Sequence, residues 1–420
     1  MRRPASLALY AAAMGAASPL APWLLKSRAA RGKDDPARLG ERLGRASRPR
    51  PDGRLIWLHG ASVGEGLALL PLVERLSGLA PDATLLVTSG TRTSAEVLGA
   101  RLPAGAIHQY VPLDTPAAAA RFMSHWRPNL AVFVESELWP NLIAAARGSG
   151  ARLALVSARM SEASLAGWRR APAAAAAVLS SFDLILAKDR AALARFESLG
   201  GQVAGLWDAK LGAPPLCADE TELAALKEAL SGRTVLLAAS THAGEEEIVL
   251  EAFARAASDR RDALLIVAPR HPARGAEVEA LVEAARLAIA RRSAGGDPAS
   301  ARVYVADTLG ELGLFFRLAR LAFIGGSLIH GVGGHNPLEP ARLGCAVAAG
   351  PHTDHWPVYG AFQQADAVRM VTDAAELATL FGEAMADDPR ALAERGQDLA
   401  ARLDADNAAV APRLLALVAP

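Results

Sequence analysis

The side chains of this sequence that could do chemistry stand, almost without exception, just after an apolar run. In "LHGASVGEGLALL", Glu65 follows Ser62 where two glycines and a turn meet the start of a helix. A phosphate-binding turn would exclude a carboxylate there, so the charge has another purpose. "VFVESELWPNLI" adds Glu135 and Glu137, two carboxylates that share a face if the strand persists, before Pro140 opens a helix. They read as cleft carboxylates or as first-turn acids that satisfy a helix end. "VSARMSEAS" offers Ser157, Arg159 and Ser161; Ser161 with Ser164 can equally cap a helix.

Later motifs suit anions. "LLIVAPRHPARG" fixes Arg270 and His271 between Pro269 and Pro272, and a guanidinium forks onto carboxylate or phosphate. "AASTHAGEEE" carries Ser240 and Thr241; Thr241 with Glu245 nearly spells a capping box, and His242 has no partner in sequence. "FIGGSLIHGVGGHNPLEPARLG" is the strongest stretch. Its glycines, including Gly325, Gly326, Gly331, Gly333 and Gly334, let backbone approach a ligand, with Ser327 among them. Asn336 and Pro337 then open a helix with Glu339 in its first turn. Amides for phosphate and Glu339 for ribose hydroxyls would hold a nucleotide. The stretch is neither a P-loop nor a Rossmann fingerprint, lacking both spacings. His352 and His355 have metal-like spacing, but no third ligand lies nearby, so no metal is expected.

These motifs need strands to carry them. Five apolar runs ("RLIWLHG", "ATLLVTSG", "NLAVFVES", "RLALVSA", "DLILA") alternate with helical patterns. The rhythm returns in "RTVLLAAS", "ALLIVAPR", "ARVYVAD", "LAFIGGS" and "GCAVAAG". Runs apolar on both faces and rich in Val, Ile and Leu are parallel strands under helices. The reading is α/β: two doubly wound domains, with a boundary at Ala213-Pro214-Pro215 and ligands in the cleft between them. A chain of 420 residues with net charge +1 offers no global field for nucleic acid. Its two cysteines, Cys217 and Cys345, suit a reducing compartment.

The stretch from Ala5 to Leu25 carries no charge; Arg2 and Arg3 precede it, and Lys26, Arg28 and Arg31 follow. Its length is near the roughly 20 residues of a spanning helix, although Pro19 and Pro22 should break it near its end. Residues 1–30 read as a membrane anchor or interfacial helix, with the bulk of the protein in water.

The wording of the motifs narrows the reading. "GASVGE", "ESELWPNLI", "SARMSEAS", "ASTHAGEEE", "PRHP", "DTLGELGLFFRLARLAFIGGS", "GGHNPLEPA" and "GPHT" resemble, in order, the motif series of the lipid IV(A) 3-deoxy-D-manno-octulosonic acid (Kdo) transferases. "RGKDDPARLGERLG" is similar to their stretch after the anchor. The resemblance implies a GT-B fold, with residues 31–213 taking the acceptor and 214–420 the donor. It implies CMP-Kdo as donor and a lipid A precursor at the cytoplasmic face of the inner membrane as acceptor. It implies an inverting transfer with no cofactor and no nucleic-acid partner. Glu65 matches the family's general base. The helix N-terminus should lower its pKa, with Glu135 or Glu137 pushing the other way. On the acceptor side stand Ser62, Glu135, Glu137 and Arg159. On the donor side stand Ser240, Thr241, Arg270, His271, Gly325, Gly326, Ser327, Gly334, Asn336 and Glu339. Lys210 sits where the family has a lysine, although the family's preceding Asn is absent. A different GT-B transferase or a nucleotide-sugar epimerase would keep Glu339 and need no anchor.

Overall fold

Runs that are apolar on both faces build two parallel sheets, described over residues 4–419 in a computed structural model. Arg2 and Arg3 lie outside the described residues. The chain divides into two compact units, Met1–Ala213 with Ala405–Pro420, and Pro214–Asp404. In the first, β1 (Arg54–His59), β2 (Ala83–Ser89), β3 (Ile107–Tyr110), β4 (Leu130–Val134), β5 (Arg152–Ala158) and β6 (Leu184–Ala187) pair in the order β3-β2-β1-β4-β5-β6. In the second, β7 (Thr234–Thr241), β8 (Ala263–Pro269), β9 (Ile289–Arg291), β10 (Val303–Val305), β11 (Leu321–Ile324), β12 (Ala346–Ala349) and β13 (Arg369–Met370) pair as β13-β12-β11-β7-β8-β10-β9. All neighbours are parallel. This is the doubly wound GT-B architecture.

Each order reverses once, between β1 and β4 and between β7 and β11, and ligands bind past the strand ends at such a reversal. His59 stands level with Phe133 there, and Ala239 with Ile324. Strand β1 shows why the runs lack alternation. Leu55 and Trp57 face one apolar layer with Phe122 and Phe133, while Ile56 and Leu58 face another with Leu69 and Val73. Both faces lose water, each large side chain contributing roughly 1.5–3 kcal/mol.

The C-terminus departs from the expected 214–420 domain. Val410, Ala411 and Leu414 bury in the layer around Leu69 and Val73, which returns the tail to the first unit. The N-terminal stretch also departs from expectation. Ala5–Ala17 and Ala21–Ala30 are helices joined by a 3-10 turn at Ser18–Leu20. Pro19 and Pro22 tighten the helix rather than end it, because both occupy first-turn positions that need no N–H partner. Ala5–Ala30 is the one helical stretch among the described residues long and apolar enough to cross a membrane. Its Leu25 is buried and its Tyr10 hydroxyl donates to Asp114 Oδ2 at 2.9 Å, whereas Leu9, Leu20 and Trp23 face outward.

Candidate active site

In the first unit the site begins with a helix cap. Ser62 Oγ accepts from Glu65 N at 3.2 Å, and Glu65 Oε2 accepts from Ala61 N at 2.6 Å and Ser62 N at 3.4 Å. The pair is a capping box on the helix Val63–Leu79. Glu65 Oε1 makes no hydrogen bond among the described residues. Burial pushes the Glu65 carboxyl above the ordinary carboxylate value, and the Glu137 charge adds to the rise. The Ala61 amide and Ser62 hydroxyl offset part of it, and Glu135 adds a little more. The lowering expected from the helix end is therefore outweighed: the carboxylate has lost water and faces two others.

Glu137 is the better shielded neighbour. Its Oε2 lies 3.4 Å from His59 Nε2 and accepts from the Trp139 indole N–H. His59 is wholly buried, with Nδ1 at 3.0 Å from Thr88 Oγ1. Burial alone would raise Glu137; His59 and Trp139 outweigh it and hold the carboxyl below its ordinary value.

Strand ends near both reversals carry backbone strain. Glu135 (φ 59°), Ser157 (φ 50°) and Ser240 (φ 57°) all adopt the left-handed region, which costs a residue with a side chain on the order of 1–3 kcal/mol. Glu135 meets the exposed Arg159 at 3.9 Å. Ser161 caps the helix Glu162–Arg169 through Ser164 N. Lys210 is exposed, and its N–H donates to Asp208 Oδ1. A less exposed lysine is Lys188, just past β6, half-buried, whose ammonium stands 3.9 Å from Asp208 Oδ2. A lone lysine in "LAKDR" gives no sequence signal.

The glycine loop of the second unit is held from beneath by Glu245. This buried carboxylate accepts from the amides of His242 (3.0 Å), Gly326 (2.6 Å), Ser327 (3.0 Å) and Leu328 (2.9 Å). Gly334 N donates to Gly326 O at 2.7 Å, and Gly325 N to Ala239 O at 2.8 Å. The amides of Gly325, Gly326, Ser327 and Gly334, expected to meet phosphate, are thus already used inside the protein. The Ser327 hydroxyl is engaged as well, donating to Ile324 O and accepting from Gly350 N. Gly325 is required by crowding: a Cβ there would meet Ser240 O at 2.7 Å. Thr241 makes no capping box with Glu245. The helix Glu245–Ala256 is capped by Gly244 (φ 92°), and the Thr241 hydroxyl donates to Glu246 at 2.9 Å.

The expected anion-binding helix after Asn336 is five residues long, Leu338–Arg342, and Asn336 Oδ1 already accepts its first N–H at 3.0 Å. Asn336 also reaches Glu339 Oε1 at 3.4 Å. Burial raises the Glu339 carboxyl, against the lowering by Asn336, Arg342 and Arg270. Arg270 is exposed and makes no salt bridge among the described residues. Beside it three imidazoles gather. His242 and His335 lie nearly coplanar, edge to edge, with their Nε2 atoms 2.9 Å apart, and His271 packs edge-on to His242. His335, in "GGHN", went unread as a candidate because its partner is 93 residues away. Among the described residues no group of His, Cys, Asp or Glu has metal-holding geometry, His352 and His355 included.

Three comparisons bear on this geometry. Residues 37–210 match the sequence profile of the family described as 3-Deoxy-D-manno-octulosonic-acid transferase (kdotransferase). A probable mitochondrial 3-deoxy-D-manno-octulosonic acid transferase of Arabidopsis thaliana is 36% identical over 382 residues, 85% of this chain and 83% of that protein. The 3-deoxy-D-manno-octulosonic acid transferase of Bordetella pertussis is 37% identical over 333 residues, 76% of each. In fold the chain is similar to UDP-GlcNAc 2-epimerase from Neisseria meningitidis, with a TM-score of 0.57 at 11% identity over 86% of this chain and 99% of that one. That neighbour runs different chemistry, so the fold alone does not choose the reaction.

Proposed function

The chain belongs to the Kdo transferase family and is a glycosyltransferase; on that premise we propose that it moves Kdo from CMP-Kdo to a sugar hydroxyl of lipid IV(A), inverting the anomeric carbon. The first unit takes the acceptor and the second the donor. Glu65 is the general base. The observation that carries this role is the division of labour in its carboxylate: Oε2 is fixed by two backbone amides, while Oε1 is unengaged. A base fixed in this way loses little freedom on reaching the acceptor hydroxyl, and its raised pKa makes it a stronger proton acceptor. It takes the hydroxyl proton as the bond to Kdo forms.

On the donor side Arg270 offers an unpaired fork for the phosphate or for the Kdo carboxylate, and its attraction grows as charge develops on the departing phosphate. Glu339 accepts from ribose hydroxyls, a role supported by the Asn336 contact that steadies it. Lys188, Arg159 and Glu135 complete the acceptor side as polar strand-end groups. The apolar N-terminal helix supports a place at the inner membrane, on the cytoplasmic face, where the lipid acceptor stays within reach.

The test is direct. Purified protein is incubated with CMP-Kdo and tetraacylated lipid A precursor, and the lipid products are weighed. A mass gain of one or more Kdo units supports the reading. Unchanged lipid beside consumed or isomerised nucleotide sugar would overturn it in favour of another nucleotide-sugar enzyme.

A further inference from the structure

The ring planes of His242 and His335 lie 7° apart with centroids at 5.2 Å, and the two Nε2 atoms are 2.9 Å apart. Two lone pairs would repel at that distance, so one Nε2 carries a proton and the other accepts it. Gly326 leaves room beside the pair: a Cβ there would stand 2.6 Å from Val332 Cγ1 and 3.1 Å from the His335 ring. Both imidazoles are only half-buried, so a ligand can reach them. His271 and Arg270 adjoin them. Glu245, whose charge acts on His242, spends both oxygens on amides.

From this geometry we propose that the His242–His335 pair is a phosphate-recognition group that takes up one proton when the nucleotide's phosphate docks beside Arg270. The proposal rests on the donor-side reading of the second unit. In the neutral pair the proton between the Nε2 atoms leaves one Nδ1 as a donor and the other as a bare acceptor. One proton from solvent, added to that bare Nδ1, keeps the inner hydrogen bond and makes both Nδ1 atoms donors. A phosphate oxygen can then accept from a cationic pair, and no covalent bond is made or broken.

The surrounding charges set when this happens. Burial, with smaller contributions from His242, Arg270 and His271, lowers His335 to about 4. Burial also lowers His242, with Glu245 and Glu246 opposing and His271 and Arg270 adding. The empty pair is therefore neutral near pH 7. A phosphate dianion beside it favours the charged form and reverses that balance. The added donors then strengthen as the glycosyl bond breaks and charge collects on the phosphate.

The experiment is CMP calorimetry on the full chain at about pH 7.5, above the roughly 6 of a phosphate monoester's second ionisation, in two buffers of different ionisation enthalpy. Net uptake approaching one proton per CMP is expected, with none for cytidine. In His335→Gln and His242→Gln that uptake should vanish and CMP should bind about tenfold or more weakly, the loss of one charge-assisted hydrogen bond. Histidine ¹⁵N spectra of the wild-type protein should show both nitrogen signals of one imidazole of the pair turning to the imidazolium type on adding CMP, a readout that needs no variant to fold. CMP binding without proton uptake, or with uptake unchanged in both variants, overturns the proposal and leaves the donor site standing. No CMP binding at all overturns the donor-side reading and this proposal with it.

Discussion

His59 Nε2 and Glu137 Oε2 stand 3.4 Å apart at the reversal of the first sheet, the imidazole wholly buried and the carboxylate nearly so. A buried carboxylate needs such a neighbour to keep its charge, and a charge kept there acts on Glu65. The sign follows. Glu65 works as a base only when deprotonated, and Glu137 helps to raise its pKa. Glu137→Gln removes that charge, so the acid limb of kcat/KM should move to lower pH, from a wild-type position above the ordinary carboxylate range. Profiles of Kdo transfer over about pH 4 to 8 decide it. A limb that stays in place would show that Glu137 does not tune the base.

Glu65 caps a helix and is proposed as the base, and two substitutions separate the two roles. Glu65→Gln keeps a carbonyl oxygen to accept from the amides of Ala61 and Ser62 but cannot take a proton. It should lower turnover about 10²–10⁴-fold with little change in unfolding temperature. Glu65→Ala should lose activity similarly and also lose its half of the cap, costing roughly 0.5–2 kcal/mol in denaturant unfolding. Retention of more than about a tenth of wild-type turnover in Glu65→Gln would remove it from the base role.

Both substitutions touch residues legible in the sequence, and the pattern of what was legible is physical. Central strands such as β1 and β7 lose water on both faces and must be continuously apolar, so they announce themselves. The strands that escaped, β3 ("IHQY"), β9 ("IAR") and β13 ("RM"), are all at sheet edges, where short and polar runs suffice. Site residues that follow a central strand, such as Glu65, Glu137 and Arg270, inherited that clarity. Partnerships across long separations did not: His242 with His335, or Glu245 beneath a loop some 80 residues away. The glycine loop misled because glycines that admit a ligand and glycines that admit a neighbouring backbone read alike.

Glu245 is accordingly a sensitive polar residue of the second unit. Glu245→Ala strands four N–H groups, those of Gly326 and Ser327 buried and those of His242 and Leu328 part-buried, and each unsatisfied buried donor costs about 1–3 kcal/mol. A loss of more than about 3 kcal/mol in the second unit's denaturant unfolding is expected. Glu245→Gln should be intermediate, since one of its oxygens becomes an NH₂ facing donors. An alanine variant as stable as wild type would mean that the loop holds itself.

The N-terminal helix allows a sharper membrane test than truncation. Removing residues 1–27 would also take away buried Leu25 and the Tyr10–Asp114 hydrogen bond, confusing folding with binding. Leu20 and Trp23 are 66% and 72% exposed and belong to the outward face. In water, replacing them disturbs nothing buried, so Leu20→Glu with Trp23→Glu should change folding stability by no more than about 0.5 kcal/mol each. At a bilayer each apolar side chain is worth roughly 1.5–3 kcal/mol of burial, and each carboxylate adds repulsion from anionic headgroups. The double variant should therefore leave vesicles containing anionic lipid at high salt. At low salt Lys26 and Arg31 still attract the surface, about 1 kcal/mol each, and partial binding should remain. CMP binding should be unchanged, because the proposed donor site belongs to the second unit. Transfer to detergent-dispersed acceptor should survive better than transfer to acceptor in bilayers. The measurement is vesicle flotation at both salt concentrations beside the two transfer assays. Flotation equal to wild type at high salt would show that another surface carries the membrane contact and that this helix face does not.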